Sequence, residues 1–308
     1  MRSAFNEELL KIAKEDDRIY MVLADIGYGE IEPFAEAFPD RFYNCGVAEQ
    51  NMTGVACGLA MEGKIAVTYS IANFPTLRCL EQIRNDVCYH DQNVKIVIIG
   101  GGLAYGSLGV SHHSTEDIAI MRSLPDCVVV CPADIPEARA ATYAMIEHEG
   151  AFYYRCGYKQ EPDLHQGKID FELGKAIEVC DGSDVTLIGT GTVTYRAWQA
   201  AELLAGEGIK ARVISMHTVK PIDREAIVAA ARETGAIVTV EEHNICGGLG
   251  SAVAEVIAES GMGIGFKMIA LPDEYVHIVG THEWLLDYYG FSPEGIAGSV
   301  RELLAERS

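Results

Sequence analysis

The chain has 308 residues, of which 24 are basic and 45 acidic, so its formal net charge is −21. Because no run of Lys or Arg is dense enough to follow a phosphate backbone, this composition argues against nucleic acid as a partner. The length exceeds the size at which a single core usually stops growing, and the 49 % hydrophobic content is ample for two domains.

No stretch approaches the roughly eighteen uncharged apolar residues of a membrane span, and residues 1–20 are charged and helical in pattern rather than a signal peptide. We therefore expect no membrane partner and a cytoplasmic location. The nine cysteines lie mostly in apolar segments and never as Cys-x-x-Cys. We interpret them as reduced core residues rather than as disulfides or zinc ligands.

The first half of the chain alternates short apolar runs with amphipathic segments. The apolar runs predict strands at Ile19–Ala24, Phe42–Cys45, Ile65–Tyr69, Val94–Ile99, Cys127–Cys131 and Phe152–Tyr154. The amphipathic segments predict helices at about 30–38, 49–62, 76–90, 115–122 and 135–148. Such alternation predicts a parallel sheet covered by helices on both faces.

Residues 157–170 are rich in Gly, Pro and charge, and we interpret them as a linker. After the linker, strands are predicted at Val185–Ile188, Ala211–Ile214, Ala236–Val240 and Phe266–Ile269, with helices near 194–207, 222–233 and 249–259. The sequence thus predicts an α/β fold with two doubly wound, mostly parallel-sheet domains in tandem, residues 1–156 and 171–308. The halves share a class but no visible repeat.

Four segments follow predicted strand ends in the first domain. Asp25 follows the first strand, Glu49 the second, residues 69–74 the third and residues 100–113 the fourth. In open α/β sheets, ligands bind beyond the carboxyl ends of the strands. We therefore expect these segments to share one rim and to form the functional site.

Glu49 is the most informative residue of this rim. It lies in Gly46-Val-Ala-Glu-Gln-Asn-Met52, where a strand gives way to a helix of small residues. A carboxylate at a helix N-terminus, beside an apolar wall of Ala56, Leu59 and Ala60, can hold or exchange a proton. The alternative is that Glu49 only caps its helix.

Five motifs, in chain order, resemble those of the thiamine diphosphate enzymes of the transketolase family. They are Ala24 to Gly27, Gly46 to Asn51, Gly109 to His112, Thr218 to Asp223, and Val240 to Asn244 with Gly247 to Gly250. The family's magnesium and diphosphate segment, Gly-Asp-Gly followed downstream by Asn, is missing. The resemblance therefore implies half an enzyme, with a pyrimidine-binding domain and a transketolase C-terminal domain.

The resemblance implies roles for several rim residues. Glu49 would hydrogen-bond the pyrimidine ring of thiamine diphosphate and so promote removal of the thiazolium proton. Phe74, or Tyr69 as second candidate, would stack on that ring, with core packing as the alternative for either. Asp25 matches an acidic residue near the thiazolium ring, and its alternative role is to cap a turn.

The same resemblance implies substrate contacts. His112 matches a histidine that contacts the reacting oxygens, and Ser111 belongs to its motif. Arg155 matches a phosphate-binding arginine, although a buried or salt-bridged Arg155 is the alternative. His113 does not fit the motif. Because adjacent histidines point apart on an extended chain, we expect no histidine–zinc site here and no metal ligands on this chain.

Departures from the family pattern concern the substrate. Where transketolases carry Asp-Gly-Pro-Thr-His, this chain has Leu108-Gly-Val-Ser-His112, so Leu108 replaces the aspartate that reads a donor hydroxyl. Gly100 stands where transketolases place a phosphate-binding histidine. These departures weaken the expectation that the substrate is a phosphorylated sugar.

The second half offers less chemistry. Gly189-Thr-Gly191 lacks the third glycine of a dinucleotide fingerprint, so we expect no nicotinamide site. The segment from Glu241 to Gly250 leads into a helix whose N-terminus could bind an anion, but a tight turn needs those glycines anyway. We interpret it as a subunit contact.

The leading hypothesis is the C-terminal subunit of a split transketolase, which moves a two-carbon ketol unit from a ketose (phosphate) to an aldehyde. The resemblance implies an α2β2 assembly with a separate N-terminal subunit carrying Gly-Asp-Gly, and thiamine diphosphate and Mg²⁺ held mainly by that subunit. One alternative is the beta subunit of a 2-oxoacid dehydrogenase, disfavoured by His243-Asn244 in place of Gly-Trp. Others are a deoxyxylulose-phosphate-synthase-like enzyme and a non-catalytic scaffold, which would be expected to have lost Glu49.

Overall fold

A computed structural model describes residues 1–158 and 162–307 of the chain. Its strands are β1 (Ile19–Leu23), β2 (Phe42–Asn44), β3 (Ile65–Ile71), β4 (Val94–Ile99), β5 (Val128–Val130), β6 (Phe152–Cys156), β7 (Ile177–Cys180), β8 (Val185–Thr190), β9 (Ala211–Ser215), β10 (Thr218–Lys220), β11 (Ala236–Asn244) and β12 (Gly265–Leu271). They form two sheets.

One helix precedes the first strand, and the others lie between strands or follow the last one. They are α1 (Arg2–Ala13), α2 (Glu32–Ala37), α3 (Glu49–Met61), α4 (Asn73–Arg78), α5 (Leu80–Gln82), α6 (Asp117–Ser123), α7 (Ile135–Glu147), α8 (Thr194–Ala205), α9 (Arg224–Thr234), α10 (Leu249–Ser260), α11 (His282–Tyr288) and α12 (Pro293–Ala305). No described helix is long and apolar enough to cross a membrane.

The first sheet has seven strands in the order β10-β5-β6-β4-β3-β1-β2. Its pairs are parallel except β10 with β5, which is antiparallel. The second sheet has five strands in the order β12-β11-β8-β9-β7, and only its β7–β9 pair is antiparallel. The predicted fold class, two mostly parallel α/β sheets in tandem, is confirmed.

Both faces of the first sheet are covered, which explains its uninterrupted apolar strands. Every residue of β3 and β4 is buried. On one face the core contains Phe5 from α1 and Met145 from α7, and on the other it contains Met52 from α3 and Ile118 from α6. The burial of these strands on both sides leaves the strand ends as the places where polar side chains can reach solvent.

The strand β10 was not predicted, and it joins the first sheet although it follows the predicted linker in the sequence. It pairs with β5 through Thr218↔Val130. A strand of three residues lacks the apolar run that identifies the longer strands. The division at 157–170 therefore does not separate the strands of the two sheets, and the domain limits remain a sequence-based proposal.

The predicted helix at 76–90 is broken into shorter pieces. The helix α4 begins earlier, at Asn73, and a π-helical turn covers Ile83–Cys88. Phe74 thus lies in the first turn of a helix rather than in a loop. Six of the nine cysteines are buried, in agreement with the prediction that most of them are core residues.

Candidate active site

The carboxyl ends of β1, β2, β3 and β4 lie at one edge of the first sheet because these strands are parallel neighbours. Asp25, Glu49, the start of α4 and the loop 100–114 extend from that edge. We call this edge the rim. The structure therefore groups the segments that follow the four strands, as the strand pattern predicts.

Glu49 is the first residue of α3, directly after the turn made by Gly46 at φ +70. Its side chain is buried, with 4 % of its surface exposed. One carboxylate oxygen, Oε2, accepts a hydrogen bond from the guanidinium of Arg78 at 2.9 Å. An anion at this end of the helix is favoured by the helix dipole, and the Arg78 cation adds to that stabilisation.

Arg78 was not identified from the sequence, and it joins Glu49 to the rim aromatic. Its guanidinium carbon lies 4.2 Å from the ring centroid of Phe74, while its side chain is 49 % exposed. The two residues are four apart on α4, so they lie on the same face of that helix. This spacing is the sequence signal that could have found Arg78.

The ring of His112 lies beside that of Phe74, with 5.3 Å between centroids and an edge-on orientation. The Nδ1 atom of His112 hydrogen-bonds the Ser111 hydroxyl at 2.9 Å. The Asn73 amide donates to the Ser111 carbonyl oxygen at 2.9 Å. These contacts fix the loop against α4, so Glu49, Phe74 and His112 form one group.

Asp25 is exposed on the rim and is held by Asn44 at the end of β2. The Asn44 amide donates to the Asp25 carboxylate at 3.0 Å, and the Tyr28 hydroxyl donates to it at 2.8 Å. These hydrogen bonds, that of Asn44 first, lower the pKa of Asp25 below its ordinary value. Asn44 also accepts from the Gly46 amide, so Asp25 is tied to the turn before Glu49.

Tyr69 does not reach the rim. It is 1 % exposed, belongs to the core beneath α1 and stacks against Phe5 at 6.2 Å. Its hydroxyl accepts a hydrogen bond from the Asn6 amide at 3.4 Å. Tyr69 is therefore a core-packing residue, and Phe74 is the ring at the rim.

Arg155 is likewise buried and salt-bridged, which is the alternative to phosphate binding that the sequence allowed. Its Nε donates to Asp117 at 2.7 Å, and its terminal nitrogen donates to the carbonyl oxygens of Ser114 and Glu242. Burial alone would raise the pKa of Asp117, but the charge of Arg155 outweighs it and the pKa is lowered. A cavity of 20 Å³ beside Arg155 has room for about one water and not for a phosphate.

The two positions that depart from the family pattern are also defined. Leu108 is exposed beside the rim. Gly100 has φ +76, and a Cβ atom built on it would lie 2.3 Å from the ring of Tyr105. The Tyr105 ring therefore occupies the space that a side chain at position 100 would need.

The chain matches two family models in order. Residues 1–155 match the transketolase pyrimidine binding domain, and residues 174–296 match the transketolase C-terminal domain. A subunit of an apulose-4-phosphate transketolase from Phocaeicola vulgatus is 39 % identical over 98 % of this chain and 97 % of its own length. A 6-deoxy-6-sulfo-D-fructose transketolase subunit, SqwH, of a Clostridium species is 36 % identical over 100 % and 95 %.

A solved structure has a similar fold. It is described as a split gene transketolase in an inactive beta4 tetramer, and it is 41 % identical, with a TM-score of 0.88 over 99 % of this chain and 97 % of that one. The fold, the rim and these matches define the class as two-domain α/β transferases. The chain belongs to the transketolase family, which confirms the resemblance seen in its motifs, and it has the extent of the separately encoded subunits.

Proposed function

We propose that this chain is the C-terminal subunit of a two-chain transketolase, which transfers a two-carbon ketol unit from a ketose to an aldehyde. Thiamine diphosphate would lie between this chain and an N-terminal subunit. The observation that carries the proposal is the group of Glu49, Phe74 and Arg78 at the rim, in a chain that matches transketolase subunits over nearly its whole length.

The rim residues fit the pyrimidine part of this cofactor. The Arg78 guanidinium is a planar group with N–H donors, and it both donates to Glu49 and covers the ring of Phe74. An aminopyrimidine is also planar and carries N–H donors. It can therefore use the same two partners, the carboxylate of Glu49 as a hydrogen-bond acceptor and the ring of Phe74 as a stacking surface. Because Arg78 is half exposed, its ion pair is weak enough to be exchanged for the cofactor.

Each rim residue then has a stated task. Glu49 would hold a proton against the pyrimidine nitrogen, and its burial keeps water from competing for that hydrogen bond. Phe74 would support the ring face, and His112 would hydrogen-bond the reacting oxygen of the sugar. When bound, the cofactor supplies the electron sink for cleavage of the carbon–carbon bond.

The partner would cover the rim. Apolar side chains that are about half exposed or more surround the site: Tyr28, Val47, Leu77, Leu108 and Val110. Exposed apolar surface of this kind is typical of protein interfaces. We propose that an N-terminal subunit with Gly-Asp-Gly and a downstream Asn packs here and holds the diphosphate and Mg²⁺, within an α2β2 assembly.

The donor would differ from the usual ketose phosphates. Leu108 offers no acceptor for a donor hydroxyl, Tyr105 fills the side-chain space of position 100, and Arg155 is already paired with Asp117. We propose a ketose that lacks the hydroxyl normally read by the family aspartate. Residues other than Arg155 would bind its anionic end, if it has one.

Calorimetric titration tests the proposal. Thiamine diphosphate with Mg²⁺ is titrated into this chain alone and then into its mixture with the candidate N-terminal subunit. Binding only in the mixture, lost in Glu49→Gln and kept in the exposed control Glu62→Gln, supports the shared site. Tight binding to the chain alone would overturn it, as would equal binding by both variants.

An assay of the mixture separates the leading function from the main alternative. A transketolase should release an aldehyde from a ketose donor and transfer the ketol unit to an acceptor. The beta subunit of a 2-oxoacid dehydrogenase would instead support decarboxylation of a 2-oxoacid. The names of the relatives favour the first outcome.

A further inference from the structure

A second cluster of reactive side chains lies in the interior and is separate from the rim. Asp134 directly precedes α7, Glu137 is in the first turn of that helix, and His165 comes from the segment that connects the two halves. One ligand atom from each residue lies within 4.8 Å of the others. Asp134 and Glu137 are fully buried, and the His165 side chain is 9 % exposed.

Half of this cluster is explained by helix capping. The Asp134 carboxylate accepts from the Glu137 amide at 3.0 Å, and Glu137 Oε2 accepts from the Ala133 amide at 2.7 Å. The first of these bonds satisfies an amide in the first turn of α7, and the second satisfies the amide of the residue before the N-cap. They leave the second oxygen of Glu137 and the distal nitrogen of His165 unexplained.

These two atoms face each other without bonding. Glu137 Oε1 and His165 Nε2 are 3.7 Å apart, which is beyond hydrogen-bond distance. Neither has a hydrogen-bond partner among residues 1–158 and 162–307. Unpaired polar atoms in a buried site are costly, so a ligand that contacts both would be stabilised there.

We propose that His165 Nε2 and Glu137 Oε1 are direct ligands of one divalent metal ion of the zinc class, with Asp134 as the residue that orients His165. Zinc binds histidine nitrogen and carboxylate oxygen at about 2.0–2.2 Å, so one ion can bridge atoms 3.7 Å apart. An imidazole ligand favours zinc and its transition-metal neighbours over Mg²⁺ and Ca²⁺.

The role of Asp134 follows from its contact with the other ring nitrogen. His165 Nδ1 lies 3.0 Å from Asp134 Oδ2, and because an ionised carboxylate only accepts, Nδ1 is assigned as the donor, which leaves a lone pair on Nε2, 3.7 Å from Glu137 Oε1. This is the carboxylate–histidine–metal arrangement that fixes the tautomer of a ligating histidine. Two carboxylates also balance the charge of a divalent ion.

The ion would fasten the connecting segment to α7. The backbone amides of Leu164 and His165 already donate to Asp134 Oδ2, at 2.9 and 2.7 Å. A metal ion shared by His165 and Glu137 would add a further, stronger attachment of this segment to α7. The site does not involve His112 or His113, and it departs from the sequence-based expectation that this chain has no metal ligands.

Metal titration of the full-length chain tests the proposal without any activity assay. Chelator-treated protein is titrated with Zn²⁺ by calorimetry and with Co²⁺ by visible absorption. We expect one ion per chain and a higher melting temperature with Zn²⁺. His165→Ala should lose the site, and Asp134→Asn should bind about 10–100-fold more weakly.

Two further variants keep the test decisive. Glu137→Gln retains an oxygen for the Ala133 amide, so it should fold and yet lose the metal. His90→Ala removes an exposed histidine and should bind Zn²⁺ like the unmodified chain. Absence of stoichiometric binding by the unmodified chain, or unchanged binding by both His165→Ala and Glu137→Gln, would overturn the proposal.

Discussion

Two helix N-termini, one in each half of the molecule, use a glutamate in opposite ways. At α3, Glu49 belongs to the helix itself and meets only the half-exposed Arg78 at the rim. At α10, the carboxylate of Glu241 comes from β11 and accepts from the amides of Leu249 and Gly250, both at 2.7 Å. Glu241 is fully buried.

The difference supports the proposal that the chemistry is concentrated in the first half. In the second half, the chain's own carboxylate occupies the helix N-terminus, so the anion site that the sequence left open is filled by Glu241. In the first half, the glutamate can exchange its partner. Similar strand-to-helix turns thus give a closed structural contact in one half and an open rim in the other.

The largest effect should come from the open rim. We expect Glu49→Gln to lower transketolase turnover of the two-chain enzyme by about 10²–10⁴-fold, because the amide cannot exchange the proton. Thermal stability should change little, since the substitution removes one ion pair whose Arg78 partner is half exposed and keeps an oxygen that can accept from Arg78. Steady-state kinetics would contradict the assigned role if turnover stayed within tenfold of both the unmodified enzyme and Glu62→Gln.

Substitutions of Glu241 should instead change the stability of the fold. Glu241→Ala leaves the buried amides of Leu249 and Gly250 without their acceptor, and we expect a loss of about 2–4 kcal/mol in the free energy of unfolding. Glu241→Gln keeps one acceptor oxygen and should lose less. Denaturant titration of the three proteins measures this order, and equal stabilities would mean that the contact contributes nothing.

The two turns should differ in their tolerance of a methyl group. A Cβ on Gly248 would lie 2.1 Å from Glu241 Oε2, whereas the space around Gly46 is open and only its φ of +70 is unfavourable. We expect Gly248→Ala to cost about 1–3 kcal/mol and Gly46→Ala about 1–2 kcal/mol. Thermal melts of both variants would contradict the comparison if Gly46→Ala were the less stable.

The smallest expected effect is the pH dependence of stability that arises from His113, which follows the rim residue His112 in the chain but is buried. His113 is 3 % exposed, and burial lowers its pKa below the ordinary 6.5. The unfolded chain then binds the proton more readily, so the stability contributed by neutral His113 is present above pH 6.5 and is lost as the pH falls below it.

Unfolding titrations at several pH values isolate this contribution. We expect the unmodified chain to lose more stability between pH 7.5 and about pH 5.5 than His113→Phe, which cannot titrate. Identical pH profiles for the unmodified chain and His113→Phe would contradict the assignment to His113.

Much of the fold could be predicted from the sequence because buried parallel strands appear as short, uninterrupted apolar runs. The predicted limits of β4, Val94–Ile99, agree with the structure at both ends. Two of the four edge strands were missed: β7 is a partly exposed antiparallel strand, and β10 has three residues. Neither carries the long apolar run that identifies an interior strand, since each has a neighbour on one side only.

The site was accessible in part for the same reason. Strand order places Asp25, Glu49 and the loop of His112 at one edge, and local pattern suffices to find them. The partner of each residue depends on contacts across the fold. The sequence ranked Phe74 before Tyr69 but left core packing open for both, and only the path of β3 into α4 separates a ring at the rim from a ring in the core.

Local periodicity and short motifs are enough to predict the fold class, the family and the strand-to-helix junction that contains Glu49. The pairing of charged side chains depends instead on tertiary packing. Arg78 with Glu49 and Arg155 with Asp117 are ion pairs, and His165 with Asp134 is a hydrogen bond, between segments far apart in the chain. Periodicity reports which face of an element is buried, whereas the partner of a buried charge depends on how distant elements pack.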